Sequence, residues 1–403
     1  VASNFSLSDT SVQNLFKHKY DQISMDMYNG DNESLGRIKK SYDAVGDQVE
    51  RPVPLGFQGG AGSGSLPGAN RGNYGKAIFS TKSVYAVCEV DRKTIKQSRD
   101  AGAFVEALKE NTKRTVQKFN WNASRILYND GTGALGTVSA VTTVTSSTYT
   151  FTVTAATYKL ANWEIRDFVN FGTSTDKFEI TAITPAVLAT STLAIIAVTR
   201  LSGSTVPTAA DVVYLQGSKD NDPQGLKGVC DATSSSKFNI NIGYRWQSTQ
   251  MAAASAGIDV DRMNQMMLDI QSVSGMVPNL ITTSFIQMRK LLNQLEDQKR
   301  YFSQGGELKS RYGDFSFSAV QFMSVKGPVP IVAERFCDDD RMYFLNDDHI
   351  ESCHAPDFGW CNDEGFVFLR KNGEDAYEAR YAGYYETYIP PTPHGVITGL
   401  ATT

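Results

Sequence analysis

The stretch Asp91–Gly133, DRKTIKQSRDAGAFVEALKENTKRTVQKFNWNASRILYNDGTG, decides the fold. From Phe104 the apolar residues recur at helical spacing: Phe104, Leu108, Val116, Phe119, Ala123, Ile126 and Leu127. Asp100 as N-cap and Gly131 as the glycine just past the end bound a predicted helix. Its length is about thirty residues, roughly 45 Å at 1.5 Å per residue. Compact domains usually hold helices of about three turns. Lys109, Lys113, Arg114, Lys118 and Arg125 share its surface, so the apolar stripe is narrow. The pattern predicts a strut crossing a thin, sheet-like body rather than a helix sunk in a round core.

The flanks sharpen that reading. Residues 49–90 open with Pro52 and Pro54 and continue as GFQGGAGSGSLPGANRGNYG. Glycine at this density orders at high entropic cost and builds no core. Strand-like sequence follows at Ala77, Phe79, Val84, Tyr85, Val87 and Val90, so the glycines sit at the tip of a projecting hairpin. A lone hairpin is marginal in water and needs a surface to lie on. No phosphate-loop pattern accompanies the glycines. Residues 1–48 are polar, with a short amphipathic run at Val12, Leu15, Phe16, Tyr20 and Ile23, and read as an arm.

After the helix, residues 134–218 become rich in Thr, Val, Ala and Ser. Alternation at Tyr149, Phe151 and Val153, then strands at Trp163–Phe171, Phe178–Thr184, Leu193–Thr199 and Val212–Leu215, predict a small antiparallel barrel or sandwich. Two amphipathic helices come next. One carries Val260, Met263, Met267, Ile270 and Val273, the other Phe285, Met288, Leu292 and Leu295 between Ser284 and Leu295. Regularly spaced methionines are core filler. Strands are expected at Phe315–Phe317, Pro330–Val332, Met342–Leu345 and, last, Tyr377–Ile389.

The chain has 403 residues, a formal net charge of −4 and 41% hydrophobic residues, as in soluble globular proteins of two or three units. That charge points to neither nucleic acid nor an anionic membrane as the main partner. Cys88, Cys230, Cys337, Cys353 and Cys361 are an odd, scattered set, which favours a reducing compartment over a disulfide framework. No apolar run approaches the ~20 residues that span a bilayer, and no signal-peptide core is visible. A first residue of Val rather than Met reads as processing or trimming.

In the order of its parts the chain resembles the major capsid proteins of tailed bacteriophages, with the HK97-like fold. The similarity lies in the extended loop Arg51–Val90, in DRKTIKQSRDAGAFVEAL leading into the long helix, and in LYNDGTGALG closing it. Further on it lies in ADVVYLQGSKDNDPQGLKG, NLITTSFIQMRKLLNQL, GPVPIVAERFCDDDRMYFLN and PHGVITGL. The resemblance implies an α+β chain: arm 1–48, extended loop 49–90, spine helix 91–133 of a peripheral (P) domain, and an inserted all-β domain 134–218. An axial (A) domain would fill most of 219–366, with a P-domain strand and tail at 367–403. It implies a structural role, pentamers and hexamers of an icosahedral head enclosing double-stranded DNA, assembled in the bacterial host cytoplasm and located in the virion. Implied partners are further copies of the chain, DNA held non-specifically, scaffolding and portal proteins and possible decoration proteins, with no membrane. The same fold serves encapsulin compartment shells, and a tail or adhesin protein binding a host glycan through its β region is the other alternative.

Enzyme chemistry is not expected, and no residue is assigned a catalytic, cofactor-binding or metal role. His349, Cys353, His354 and Cys361 are zinc-ligand types, but H-x3-C-H-x6-C is not a zinc spacing, and loop thiols are the simpler reading. The adjacent Cys353–His354 pair does not make a cysteine-hydrolase site. Asp338, Asp339, Asp340, Asp347 and Asp348 read as solvated loops rather than a cation site. Some family members crosslink through a loop lysine. Lys76 and Lys82 lie in that region, but neither matches it residue by residue, so no crosslink is predicted.

Overall fold

The long helix runs from Ala101 to Leu127 in this computed structural model. The structure describes residues 33–44, 46, 48–56, 73–91, 101–154, 158–185, 193–231, 236–241, 243–298, 306–307, 318–324, 327–362, 367–371 and 373–402. The amphipathic run of the arm, the glycine-rich loop tip, Asp100 and the strand expected at Phe315–Phe317 lie outside the described residues. The helix stops short of the expected glycine. Tyr128 and Asn129 donate to the carbonyls of Arg125 (3.2 Å) and Ile126 (3.0 Å), tightening the last turn. Asp130 then accepts from the Thr132 N–H at 3.0 Å and hydroxyl at 2.5 Å and turns the chain outward. Gly133, at φ 78°, is where a side chain would collide with the Ser218 carbonyl, because the chain enters and leaves the next unit side by side here.

That unit is a closed six-stranded antiparallel barrel. Around it run Val212–Leu215, Ala134–Thr143, Thr148–Val153, Ile195–Arg200, Phe178–Thr184 and Phe168–Phe171. Alternation places Tyr149, Phe151 and Val153 inside and Thr148, Thr150 and Thr152 outward. Trp163, Val169, Phe171, Phe178, Ile180, Ile196 and Val198 complete the core. The strand expected from Trp163 begins only at Phe168, since 163–167 form a turn with Arg166 at φ 76°.

Two larger sheets carry the rest. A six-stranded sheet is built on Ala376–Tyr388, which pairs along its length with Lys82–Asp91, from Tyr377 opposite Val90 to Tyr385 opposite Lys82. Lys39–Ser41, Glu351–His354, Gly359–Trp360 and Leu369–Arg370 complete it. Val84, Ala86 and Cys88 face the long helix and pack with Val116, Phe119, Ile126, Ala379 and Tyr381. A seven-stranded sheet runs in the order Thr249–Ala252, Gly395–Thr398, Met342–Leu345, Leu280–Thr283, Gly327–Ala333, Ser318–Ser324, Gly306–Glu307. Its centre is buried on both faces, as its unbroken apolar runs require. Tyr343, Leu345, Leu280, Val332 and Val396 face the end of the long helix, and Met342, Phe344, Ile281, Ile331 and Ile397 face the helix side.

The flanking helices are Val260–Ser274, capped by Asp259 and ended by Gly275 at φ 72°, and Phe285–Gln298. Their buried faces differ from the expected stripes. Val273 is exposed, Met266 is buried, and Phe285 is 62% exposed while Gln287 and Leu291 face inward. The expected boundary at 366/367 does not separate the sheets. Glu351–His354 joins the C-terminal strand, and Gly395–Thr398 crosses into the seven-stranded sheet.

Candidate assembly surfaces

The hairpin pairs Val49–Gly56 with Asn73–Phe79. It is a two-stranded sheet, so Pro52 and Pro54 remove no inner ladder bond. Its base is anchored on the chain's own body. Phe79 stacks on Tyr388 (5.4 Å, 16°) and meets Phe238 edge-on at 5.8 Å. Ala77 packs with Ile240 and Trp246. Arg51 bridges Glu351 (3.0 Å) and Asp43 (3.3 Å). Lys76 pairs with Glu50 at 2.6 Å, and Lys82 donates to the Asp220 carbonyl at 3.3 Å. Toward the tip Tyr74 is 62% exposed, and on the outer face of the adjoining sheet Val87 is 56% exposed beside Tyr85. The Tyr85 and Tyr384 hydroxyls lie 3.3 Å apart on that face. Apolar side chains on outer faces are the raw material of contacts between subunits.

Charged residues that sequence reading placed on open surface are instead spent inside the subunit. Lys118 of the long helix pairs with Asp167 (2.8 Å) and Glu164 of the barrel. Arg125 is buried against Asp222 at 3.1 Å. Neither is therefore presented by the helix to a polyanion. Asp338 is not a solvated loop acid: it meets Lys159 of the barrel at 2.5 Å, Lys227 at 3.2 Å and Arg341 at 3.2 Å. Burial pushes its pKa up, but Lys159 and Lys227 outweigh that and hold the carboxyl below the usual range. Asp347 pairs with Arg37 at 3.6 Å and accepts from Asn279 at 2.6 Å, while Asp339 is exposed. Arg335 stacks over Trp121 at 4.0 Å, joining the long helix to the same loop. Apart from Asp338 with Arg341, which are three residues apart, no sequence signal marks these pairs, whose partners lie tens to hundreds of residues apart.

The Cys/His set is dispersed. Cys353 and His354 are neighbours on a strand and point to opposite faces. Cys353 packs with Ala44, Val49 and Phe79, in a strand rather than a loop. His354 stacks on Tyr385 (5.6 Å) and meets Phe358 edge-on at 4.7 Å. Burial holds it down to about 4, so the ring is neutral at neutral pH. His349 is exposed. Among the described residues no group of three or more His, Cys, Asp or Glu side chains is placed to hold a metal ion. No helix among them is long and apolar enough to cross a membrane.

A buried carboxyl absent from the sequence reading sits on the C-terminal strand. Glu386 accepts from the Gln224 N–H at 2.6 Å and so ties the segment leaving the barrel to the six-stranded sheet. Burial raises it to about 7, with the Gln224 and Thr387 N–H groups pulling the other way. A carboxyl raised in this way contributes most below its unfolded value and loses that contribution as pH climbs through about 7. Urea melts of wild type and Glu386→Gln at about pH 5 and about pH 8 are expected to shift in the variant's favour at the higher pH. An identical difference at both would contradict this.

No family model and no curated protein matches the sequence. Among solved structures, the chain is similar to one from the cyanophage A-1(L) capsid asymmetric unit. That match has 12% identity, covers 100% of this chain and 95% of that one, and has a TM-score of 0.51. It also matches the virus-like particle of Pyrococcus furiosus (8% identity, 95% and 99% covered, TM-score 0.43). A third match is the SrpI encapsulin of Synechococcus elongatus PCC 7942 (7% identity, 82% and 79% covered, TM-score 0.41). The likeness is one of fold: over its whole length the chain shares the fold of that cyanophage capsid chain, the HK97-like α+β fold expected from the sequence.

Proposed function

We propose that many copies of this chain form pentamers and hexamers that close an icosahedral phage head around double-stranded DNA. The observation that carries this reading is the full-length fold match to a cyanophage capsid chain. The hairpin supports it: its base is fixed to the subunit through Ala77 and Phe79, while Tyr74, farther along it, is 62% exposed and open to a neighbour. In this reading arm and loop lie on neighbouring copies, the two sheets set the angle between subunits, and the barrel adds outer contacts. DNA is held non-specifically, scaffolding and portal proteins take part, a decoration protein is an optional partner, and the virion is the place of action after assembly in the host cytoplasm. No catalytic role is proposed.

Deleting Gly59–Gly72 tests the part assigned to the loop. The expected product is a soluble subunit that sediments as monomers or small oligomers under conditions in which wild type forms shells. Closed shells of normal size from the deletion would remove the loop from the account.

A further inference from the structure

Little apolar surface ties the barrel to the rest of the subunit. Its core, from Leu135 to Val213, is built of barrel residues throughout. Among the described residues one barrel side chain, Ala161, enters the large cluster that holds Leu127, Tyr128, Val332, Phe336 and Tyr343. We propose that the barrel is a hinged unit, held on the subunit by charge, that lifts away and returns while it stays folded. The proposal does not depend on the shell reading.

The docking contacts gather in one segment, residues 159–167. Lys159 pairs with Asp338 at 2.5 Å and donates to the Phe336 carbonyl. Glu164 and Asp167 both hold Lys118 of the long helix, Asp167 at 2.8 Å. The two clasps have opposite sense, a barrel cation on an acid of the body and barrel acids on a cation of the body, so together they fix one orientation. Every side chain in them keeps some contact with water, so solvent and salt compete with each pair. The chain crosses between body and barrel side by side, near Gly133 (φ 78°) and Gly217 (φ 79°). The Asp220 N–H donates to the Thr132 carbonyl at 2.9 Å and keeps the two crossings together. Paired crossings of this kind make a hinge line. Past it, Asp222 and Gln224 are fixed to Arg125 and Glu386, so the motion ends there. Beside the hinge the fit is open: a cavity of about 610 Å³ separates residues 215–218 of the barrel base from residues 82–85, Asn122 and Ile126. A closely packed interface leaves no such space.

Amine acylation of the full-length chain, read by mass spectrometry, tests the motion. Glu164→Gln with Asp167→Asn opens the clasp on the long helix and leaves Lys159 and its partners unchanged. If the barrel moves as a unit, Lys159 is expected to be acylated about fivefold faster or more in this variant. Hydrogen exchange of the barrel strands Thr148–Val153 and Ile195–Arg200 is expected to stay at the wild-type rate. An unchanged Lys159 overturns the proposal, and so does loss of protection in those strands, which would be unfolding rather than lifting. Wild type alone gives a second measurement, between about 0.05 M and about 0.5 M sodium chloride. There Lys118 and Lys159 are expected to gain reactivity together relative to the exposed Lys113, and flat rates at both would overturn the hinge.

Discussion

Replacing Asp222 by alanine is expected to destabilise the subunit by about 3–5 kcal/mol, the cost of leaving a buried charge without its partner. Arg125 and Asp222 are 3% and 5% exposed, and their 3.1 Å contact joins the long helix to the segment that returns from the barrel. Two nitrogens of Arg125, Nε and Nη1, already lack an acceptor among the described residues, so little is left to compensate for the loss. The single change therefore costs more than the pair contributes. Removing both charges together, as Arg125→Met with Asp222→Leu, is expected to recover most of the loss. Urea melts of the four members of this cycle check it. A double variant as unstable as the sum of the two singles would contradict the coupling.

Phe119→Ala is expected to cost about 3–5 kcal/mol through the cavity it opens. Phe119 is fully buried and meets Phe358 and Tyr381 edge-on, each at 4.9 Å. Gly383 lies beneath it: a Cβ there would stand 2.8 Å from the tip of Phe119 and 2.5 Å from Phe358. The ring and the bare glycine backbone fit together at the contact that fixes the long helix on its sheet. Phe119→Leu, which refills most of the space, should retain more than half of the lost stability in the same melts. A loss below about 1 kcal/mol for Phe119→Ala, within the range of substitutions at undemanding sites, would show that this contact does not hold the helix.

Much of the fold is legible in the sequence because its elements follow simple periods. Phe178–Thr184, Val212–Leu215 and Met342–Leu345 form where alternation or a short apolar run places them. The last long strand is displaced by one residue at each end, as Ala376–Tyr388. Errors arise where a polar residue takes a core position. The stripe through Phe285 fails because Gln287 faces inward and donates to the Asp339 and Ala401 carbonyls, both at 2.8 Å, so a buried amide does the work expected of an apolar side chain. Arg166 in the left-handed region is a second case, since no residue type announces that bend. The junctions that position the barrel, Lys118 with Asp167 and Lys159 with Asp338, are long-range pairings that spacing cannot show. His354 is the converse: it is a zinc-ligand type beside a cysteine, for which the spacing gave no metal site, and strand geometry sends it into an aromatic cage away from Cys353.

Whether this chain closes into shells is read directly by electron microscopy of purified particles, paired with the nucleic-acid absorbance ratio of the same sample. Closed icosahedral particles built of pentamers and hexamers and containing DNA are expected. Closed particles filled with protein cargo would keep the shell but move it to the compartment class. A dispersed monomer or trimer under every condition tried would contradict the account.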